Sequence, residues 1–178
     1  MEEIAESMYA LLSTLFPICR SITGNGVRQT LAIIADELPG LTIHEVPSGT
    51  KVFDWVVPPE WNVRAAYVID PDGNKIIDFA DSNLHLVGYS VPMMATVTLA
   101  ELQEHLYSLP ELPDAIPYIT SYYKERWGFC VKHSQRELIT RDGDYTVVID
   151  SEIKDGHLTY GELLIPGECK EEVFLSTY

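Results

Sequence analysis

Apolar residues recur at helical spacing in two stretches near the start of the chain. In residues 2–16 they would share one face of a helix, at Ile4, Met8, Leu11, Leu12 and Leu15. Pro17 ends this pattern, because proline cannot continue a helix. A second helix is predicted after the Gly24–Gly26 turn, with Asn25 as its N-terminal cap and with Pro39 just beyond its end.

Beyond the second helix the apolar period changes to the alternation that is typical of strands. Residues 41–46 alternate, and further strands are predicted within residues 54–80. The segment 70–74 (DPDGN) lies between two such runs and predicts a hairpin turn. Pro71 presets a negative φ, and Gly73 accepts a positive one.

Short helices and further strands are predicted in the second half of the chain. Residues 85–97 form another β-rich run. A helix is predicted at 99–107, where Thr98 and Glu101 have the spacing of a capping box.

The last third of the chain mixes one short helix with strands. Ser134 and Glu137 form a second candidate capping box. Residues 145–153 and 157–167 are predicted to pair as a hairpin around a KDG turn. Residues 173–177 are predicted to start one more strand.

This order of elements predicts an α/β protein, in an α+β arrangement within this chain. A change of composition indicates a small β-rich module at residues 46–135, inserted into a larger frame. Residues 1–45 and 136–178 would belong to that frame.

Charge and cysteine content exclude several classes of protein. The 178 residues carry 12 Lys and Arg against 27 Asp and Glu, a formal net charge of −15. Nucleic acid and anionic membranes need a basic face, so neither is an expected partner. Three widely spaced cysteines without a CxxC motif, and the lack of a bilayer-long apolar stretch, predict a soluble, cytoplasmic protein.

No motif in the sequence defines a catalytic set. The five histidines show no zinc-binding spacing, and we interpret the lone pair of Cys130 and His133 as structural. Asp150 and Glu152 would share one face of a strand, where they could serve acid–base chemistry or bind a divalent ion. A solvated sheet face is the simpler interpretation of these two carboxylates.

Two further signals for binding also have simpler structural explanations. The Gly24–Gly26 turn, bracketed by Arg20 and Arg28, could hold a small anion, but it lacks the full glycine fingerprint of a phosphate loop. A set of aromatic residues could form a sugar- or peptide-binding surface, or could lie in the core. The set is Trp55, Trp61, Tyr122, Tyr123, Trp127 and Phe129.

Five stretches, taken together and in order, resemble a known group of proteins. They are FPICRSITGNGVRQTL, HEVPSGTKVFDWVVPPEWNVRAAYV, LHLVGYSVP, LPDAIPYITSYYKERWGFC and LTYGELLIPGECKEEVFLSTY. These stretches resemble bacterial aminopeptidase-like proteins in which a domain of unknown function is inserted into a zinc-peptidase frame. The resemblance covers nearly the whole chain.

The resemblance implies a zinc-dependent aminopeptidase fold and an association with polysaccharide biosynthesis. It places the first metal-binding histidine in a loop after a strand at 173–178. Zinc is therefore expected in a longer protein, with its ligands downstream, and no ligand is expected within this chain. Arg20, His85 and Trp127 lie in matching stretches and are candidates for lining a substrate cleft.

On this basis we expect the N-terminal portion of an aminopeptidase-like hydrolase that acts on a peptide-like or amide-containing small substrate. Catalytic residues cannot be assigned. The alternative is a non-catalytic module that binds a peptide or glycan through its aromatic surface. Formation of a homo-oligomer through an exposed sheet edge stays open.

Overall fold

The computed structural model describes residues 2–169 and 171–177. Short helices and small sheets alternate along the chain, which confirms the predicted α+β arrangement. The helices are α1 (Glu2–Leu15), α2 (Asn25–Glu37), the 3₁₀ turn Asn83–His85, α3 (Leu99–Glu104) and α4 (His133–Arg136). The strands are β1 (Thr42–Pro47), β2 (Lys51–Val52), β3 (Trp55–Val56), β4 (Glu60–Ile69), β5 (Lys75–Asp78), β6 (Met93–Thr98), β7 (Leu106–Tyr107), β8 (Phe129–Cys130), β9 (Asp144–Lys154) and β10 (His157–Glu162).

The core lies against a four-stranded antiparallel sheet in the order β5–β4–β9–β6. Alternate residues of the two central strands are buried, including Ala66 and Val68 of β4 and Tyr145, Val147 and Ile149 of β9. This period of two packs one face of the sheet and leaves the other face for polar side chains. Smaller two-stranded sheets join β1 to β10, β2 to β3 and β7 to β8.

The predicted hairpin between residues 145–153 and 157–167 is wrong. β9 lies between β4 and β6, whereas β10 pairs with β1 from Thr42↔Glu162 to Pro47↔His157. A strand with a buried apolar face gains hydrogen bonds along both edges when it is central in a sheet. That gain outweighs the local turn signal, which would pair β9 with β10.

Two local predictions are confirmed by hydrogen bonds. In the 70–74 turn the N–H of Asp70 donates to the carbonyl of Asn74 at 2.8 Å, and Gly73 has a φ of +86°. At the start of α3, the Thr98 hydroxyl accepts from the N–H of Glu101, and the Glu101 carboxylate accepts from the N–H of Thr98. The helix itself ends at Glu104, three residues earlier than predicted.

Two predicted helix caps are wrong. Asn25 is the first residue of α2, and the cap is Gly24 at a φ of +92°. The N–H of Asn25 donates instead to Oδ1 of Asn62 at 2.7 Å, so a side chain of β4 caps α2 from a distance in sequence. The Ser134 hydroxyl does not cap α4, because it donates to the carbonyl of Pro113.

Two predicted strand regions are shorter than expected or do not form. Of the run 85–97, only the part from Met93 onward pairs as a strand. Residues 171–177 form no strand in the described part of the chain, and Tyr178 lies outside it. A strand needs a hydrogen-bonding neighbour, and no described strand pairs with these residues.

The four-stranded sheet joins segments from both sides of residue 135, because β9 lies between β4 and β6. The division of the chain at 45/46 and at 135/136 stays a prediction. Within the described ranges, no helix has the length and apolar character needed to cross a bilayer.

Candidate functional site

A cleft of about 800 Å³ opens beside the start of β4. Its walls come from the α1–α2 connection and the first turn of α2 (ten residues between Phe16 and Gln29, without Arg20) and from the loop 79–83. Residues 60–64 of β4 and the side chains of Glu152 and Lys154 on β9 complete the lining. Cavities of this volume commonly hold small molecules or segments of polymers.

The base of this cleft is polar, since it includes the solvent-facing side of the β4–β9 pair. Six residues of these two strands are here called the polar floor: Glu60, Asn62, Arg64, Asp150, Glu152 and Lys154. The strand register sets Lys154 opposite Glu60 and Glu152 opposite Asn62. Alternate residues of a strand share a face, so these side chains lie on one surface.

The charges of the polar floor are paired with one another. Nε of Arg64 donates to Oδ2 of Asp150 at 2.9 Å, and its Nη2 donates to Oδ1. Nζ of Lys154 lies 2.7 Å from Oε2 of Glu152. An irregularity between Val63 and Ala65 interrupts the register at Arg64, beside its partner Asp150.

Glu60 is the buried member of the polar floor and is bound by Arg28 of α2. The guanidinium donates from Nη2 to Oε1 at 2.6 Å and from Nη1 to Oε2 at 3.0 Å. Further hydrogen bonds come from the Asn62 amide and from the N–H of His157. The Arg28 hydrogen bond is the main cause that lowers the pKa of Glu60 to about 2, against the opposing effect of burial.

A buried hydrogen-bond network holds the α1–α2 connection, which forms part of the cleft wall, onto the sheet. The hydroxyls of Thr23 and Tyr89 lie 2.5 Å apart, and the N–H of Trp61 donates to the Thr23 hydroxyl. The indole N–H of Trp61 and the hydroxyl of Ser151 both donate to the carbonyl of Ser90. Tyr89 takes a φ of +64°, an uncommon conformation for an aromatic residue that the surrounding bonds support.

The three predicted substrate-binding residues lie outside the described lining of the cleft. Arg20 is exposed and donates to the carbonyl of Leu15 at the end of α1. His85 is buried with Nδ1 2.8 Å from the carbonyl of Cys130, and the buried Trp127 ring stacks on His105 at 3.7 Å. Each makes a structural contact, and their role in substrate binding stays a prediction.

The other candidate residues also have structural partners. Both carboxylates of the pair on β9 form ion pairs, which supports the interpretation of a solvated face. Arg28 is committed to Glu60, so it does not offer a free cation beside the Gly24–Gly26 turn. His133 hydrogen-bonds the Ser108 hydroxyl at 2.9 Å.

Two of the three cysteines, Cys19 and Cys130, are poor nucleophiles. Cys19 contributes to the cleft wall, but burial raises its thiol pKa to about 11. Burial likewise raises the pKa of Cys130 to about 12. A thiol with such a pKa is almost entirely protonated near neutral pH, so neither residue is an activated nucleophile.

The donor set of the described residues does not fit the zinc ion that the resemblance implies. Across residues 2–169 and 171–177, no three side chains of His, Cys, Asp or Glu come together as a group that could hold a metal ion. No step of chemistry is therefore derived through zinc from these residues.

Half of the six residues of the predicted aromatic surface are buried. Trp61, Trp127 and Phe129 are buried, whereas Tyr123 is exposed. Sequence reasoning named two members of the polar floor, Asp150 and Glu152, but missed the other four. Its signal was present in the alternating charged and amide residues of EWNVR at 60–64, but their partners on β9 lie far along the chain.

The fold and the cleft define an α+β domain with a polar cleft surface whose cysteine, Cys19, is not an activated nucleophile. Residues 60–152 match the family described as "Domain of unknown function (DUF2172)", and the chain belongs to this family. The match begins with Glu60 and ends with Glu152, so it spans the whole polar floor except Lys154.

Two comparisons confirm the resemblance to aminopeptidase-like proteins. A protein of Clostridium acetobutylicum, named "Putative polysaccharide biosynthesis protein with aminopeptidase-like domain", is 55% identical over 176 residues, which cover 99% of this chain and 40% of that protein. The crystal structure of a "putative peptidase" from the same organism matches with a TM-score of 0.85 and 55% identity, over 89% of this chain and 37% of that one. The chain thus spans about two fifths of the length of the curated relative it matches.

Proposed function

We propose that this chain is the N-terminal portion of a zinc-dependent aminopeptidase-like hydrolase that acts on peptide or amide bonds. In this proposal the described residues provide scaffold and an accessory domain. The zinc ligands come from sequence outside the chain. The name of the Clostridium acetobutylicum relative and the peptidase title of the crystal structure support this assignment.

One observation carries the proposal: apolar side chains are exposed in the two segments that flank the family match. On α1, the predicted apolar face forms, yet Ile4, Met8 and Leu12 are 65%, 61% and 61% exposed. Near the other end of the chain, Val173, Phe174 and Leu175 are 86%, 88% and 88% exposed. Apolar surface of this kind is uncommon on an isolated domain and is typical of an interface.

The family domain, by contrast, has a closed core. Its buried apolar residues pack into one cluster around the four-stranded sheet. A protein more than twice as long, as the relative is, has enough additional chain to cover α1 and the segments 163–169 and 171–175. The flanking segments would then form part of the peptidase-like frame.

The proposal is tested with a chimera in which this chain replaces the matching two fifths of the Clostridium acetobutylicum relative. Zinc content and hydrolysis of an aminoacyl-p-nitroanilide are measured for the chimera, for the relative and for this chain alone. We expect bound zinc and zinc-dependent turnover in the two long proteins only. Zinc-dependent turnover by this chain alone would contradict the placement of the ligands.

The alternative, a non-catalytic binding module, is favoured by one specific observation. The cleft has a polar floor whose charges are paired, and its one cysteine is a poor nucleophile. A surface of that kind can bind a ligand without reacting with it. The two roles are compatible within one longer protein.

A further inference from the structure

We propose that the cleft above the polar floor is a binding site for an uncharged saccharide segment. The proposal concerns only described residues of this chain and does not rest on the peptidase role. It follows from the charge state of the lining, from the geometry of the wall and from the hydrogen-bonding groups that remain available.

The charges of the cleft disfavour an anionic ligand. Each of its three cations already has a carboxylate partner: Arg28 binds Glu60, Arg64 binds Asp150, and Lys154 binds Glu152. An anion would have to displace one of these carboxylates. It would also approach a protein with a formal net charge of −15.

A cationic ligand finds little to bind in the same cleft. Asp81, an exposed residue, is the carboxylate of the lining with no ion pair among the described residues. One exposed carboxylate attracts a cation only weakly in water. The remaining carboxylates of the lining are neutralised by their arginine and lysine partners.

The paired charges do suit a ligand with many hydroxyl groups. A guanidinium or ammonium donates only, and a carboxylate accepts only, so each ion pair presents donors beside acceptors. A sugar hydroxyl both donates and accepts, and adjacent hydroxyls can therefore span one pair. Successive positions of the floor along β4 are about 7 Å apart, so an extended chain of rings would meet several pairs in turn.

The backbone and the apolar residues of the cleft disfavour a peptide ligand. The N–H of Trp61 is taken by Thr23, and Gly24 lies so close to the Trp61 carbonyl that an added Cβ would collide with it. A peptide therefore cannot pair with β4 at that point. Val63 and Phe79 pack against the core, so part of their apolar surface is not available to a peptide side chain.

Phe16 provides the complementary apolar surface. Its ring belongs to the cleft lining and is 73% exposed. An exposed aromatic ring beside polar side chains can pack against the C–H face of a sugar while its hydroxyls bind the floor.

The test is calorimetric titration of this chain, with intrinsic tryptophan fluorescence as a second readout, because Trp61, one of the three tryptophans, belongs to the lining. The probes are three neutral hexasaccharides (cellohexaose, maltohexaose and N-acetylchitohexaose), an anionic oligogalacturonate and hexaalanine. We expect saturable binding of at least one neutral hexasaccharide and weaker binding of the other two probes.

A matched pair of variants locates the site. Arg64→Ala removes an ion pair in the cleft, and Arg141→Ala removes one outside it. The two arginines are 62% and 61% exposed, and each is bound to an aspartate. We expect Arg64→Ala to weaken saccharide binding at least about tenfold and Arg141→Ala to leave it within about twofold.

Three results would overturn the proposal. The first is the absence of saturable binding for all three neutral hexasaccharides at concentrations up to about 10 mM. A Kd above that concentration would be weaker than ordinary specific recognition. The second is tighter binding of hexaalanine or of the oligogalacturonate. The third is an equal loss of affinity in both variants. None of these results depends on hydrolysis, so the peptidase proposal is judged separately.

Discussion

The guanidinium of Arg28 binds both carboxylate oxygens of Glu60, at 2.6 Å and 3.0 Å, although the two residues are 32 positions apart. This ion pair connects α2 to β4. Through the N–H of His157 it also reaches the start of β10. It therefore holds together the segments that form one wall of the cleft and its floor.

Removing the arginine should destabilise the protein. Arg28→Ala leaves the buried Glu60 carboxylate without its cation, which costs several kcal/mol in a fully buried pair. Because the Arg28 side chain is partly exposed, we expect a smaller loss, about 2 kcal/mol, in the free energy of unfolding. Urea denaturation at neutral pH measures it, with Arg141→Ala as the exposed control. An equal loss of unfolding free energy in Arg28→Ala and Arg141→Ala would contradict a larger contribution from the buried ion pair.

Lowering the pH should weaken the ion pair between Arg28 and Glu60 within a defined pH range. The pKa of Glu60 falls from an ordinary value of 4.5 to about 2 in the folded protein. Its contribution is therefore complete above pH 4.5 and is lost as the pH falls from about 4.5 to about 2, since the unfolded state binds the proton first. Urea denaturation across this range should show a shallower pH dependence for Glu60→Gln than for the unaltered chain. An unchanged slope would show that other carboxylates determine acid stability.

Gly26 should not tolerate a side chain. An added Cβ would collide with the carbonyl oxygen of Cys19, and backbone cannot move away as a flexible side chain can. Alanine normally favours a helix, by about 1 kcal/mol over glycine. Here we expect Gly26→Ala to destabilise the protein by at least about 2 kcal/mol, because overpacking dominates.

Thermal or urea unfolding measures this effect, and Gly167→Ala is the control. No heavy atom lies within 4 Å of the Cβ position at Gly167. We expect that control to stay within about 0.5 kcal/mol of the unaltered chain. A stable Gly26→Ala variant would mean that the α1–α2 connection moves away from α2.

The apolar face of α1 should be dispensable for the stability of this chain by itself. Met8 and Leu12 are largely exposed, whereas Leu15 is buried. We expect the double variant Met8→Lys, Leu12→Lys to change the free energy of unfolding by no more than about 0.5 kcal/mol. It should also lower the binding of a dye that fluoresces on apolar surface.

Leu15→Ala is the matched comparison on the same helix. We expect it to cost about 2 kcal/mol or more, because it leaves a cavity. If the double variant were equally destabilising, the α1 face would already be covered within this chain. In that case the apolar residues of α1 would no longer be evidence that this chain belongs to a larger peptidase-like frame.

The sequence predicted those features whose hydrogen bonds close within a few residues. The 70–74 turn and the Thr98–Glu101 capping box are set by the φ preferences and side chains of adjacent residues. The residues His85 and Trp127 could not be placed in the same way, because their contacts depend on distant segments, whereas Arg20 donates to the nearby carbonyl of Leu15. His85, for example, binds the carbonyl of Cys130, 45 positions away.

By itself, then, the sequence determined the two N-terminal helices, the alternating strands and the acidic charge of this protein. Tertiary structure alone decided that β9 enters the sheet between β4 and β6 and that Arg28 meets Glu60. Only tertiary structure left the apolar face of α1 open. The physical reason is that strand pairing and burial are chosen among many distant partners, and the free energy that selects one arrangement belongs to the packed sheet as a whole.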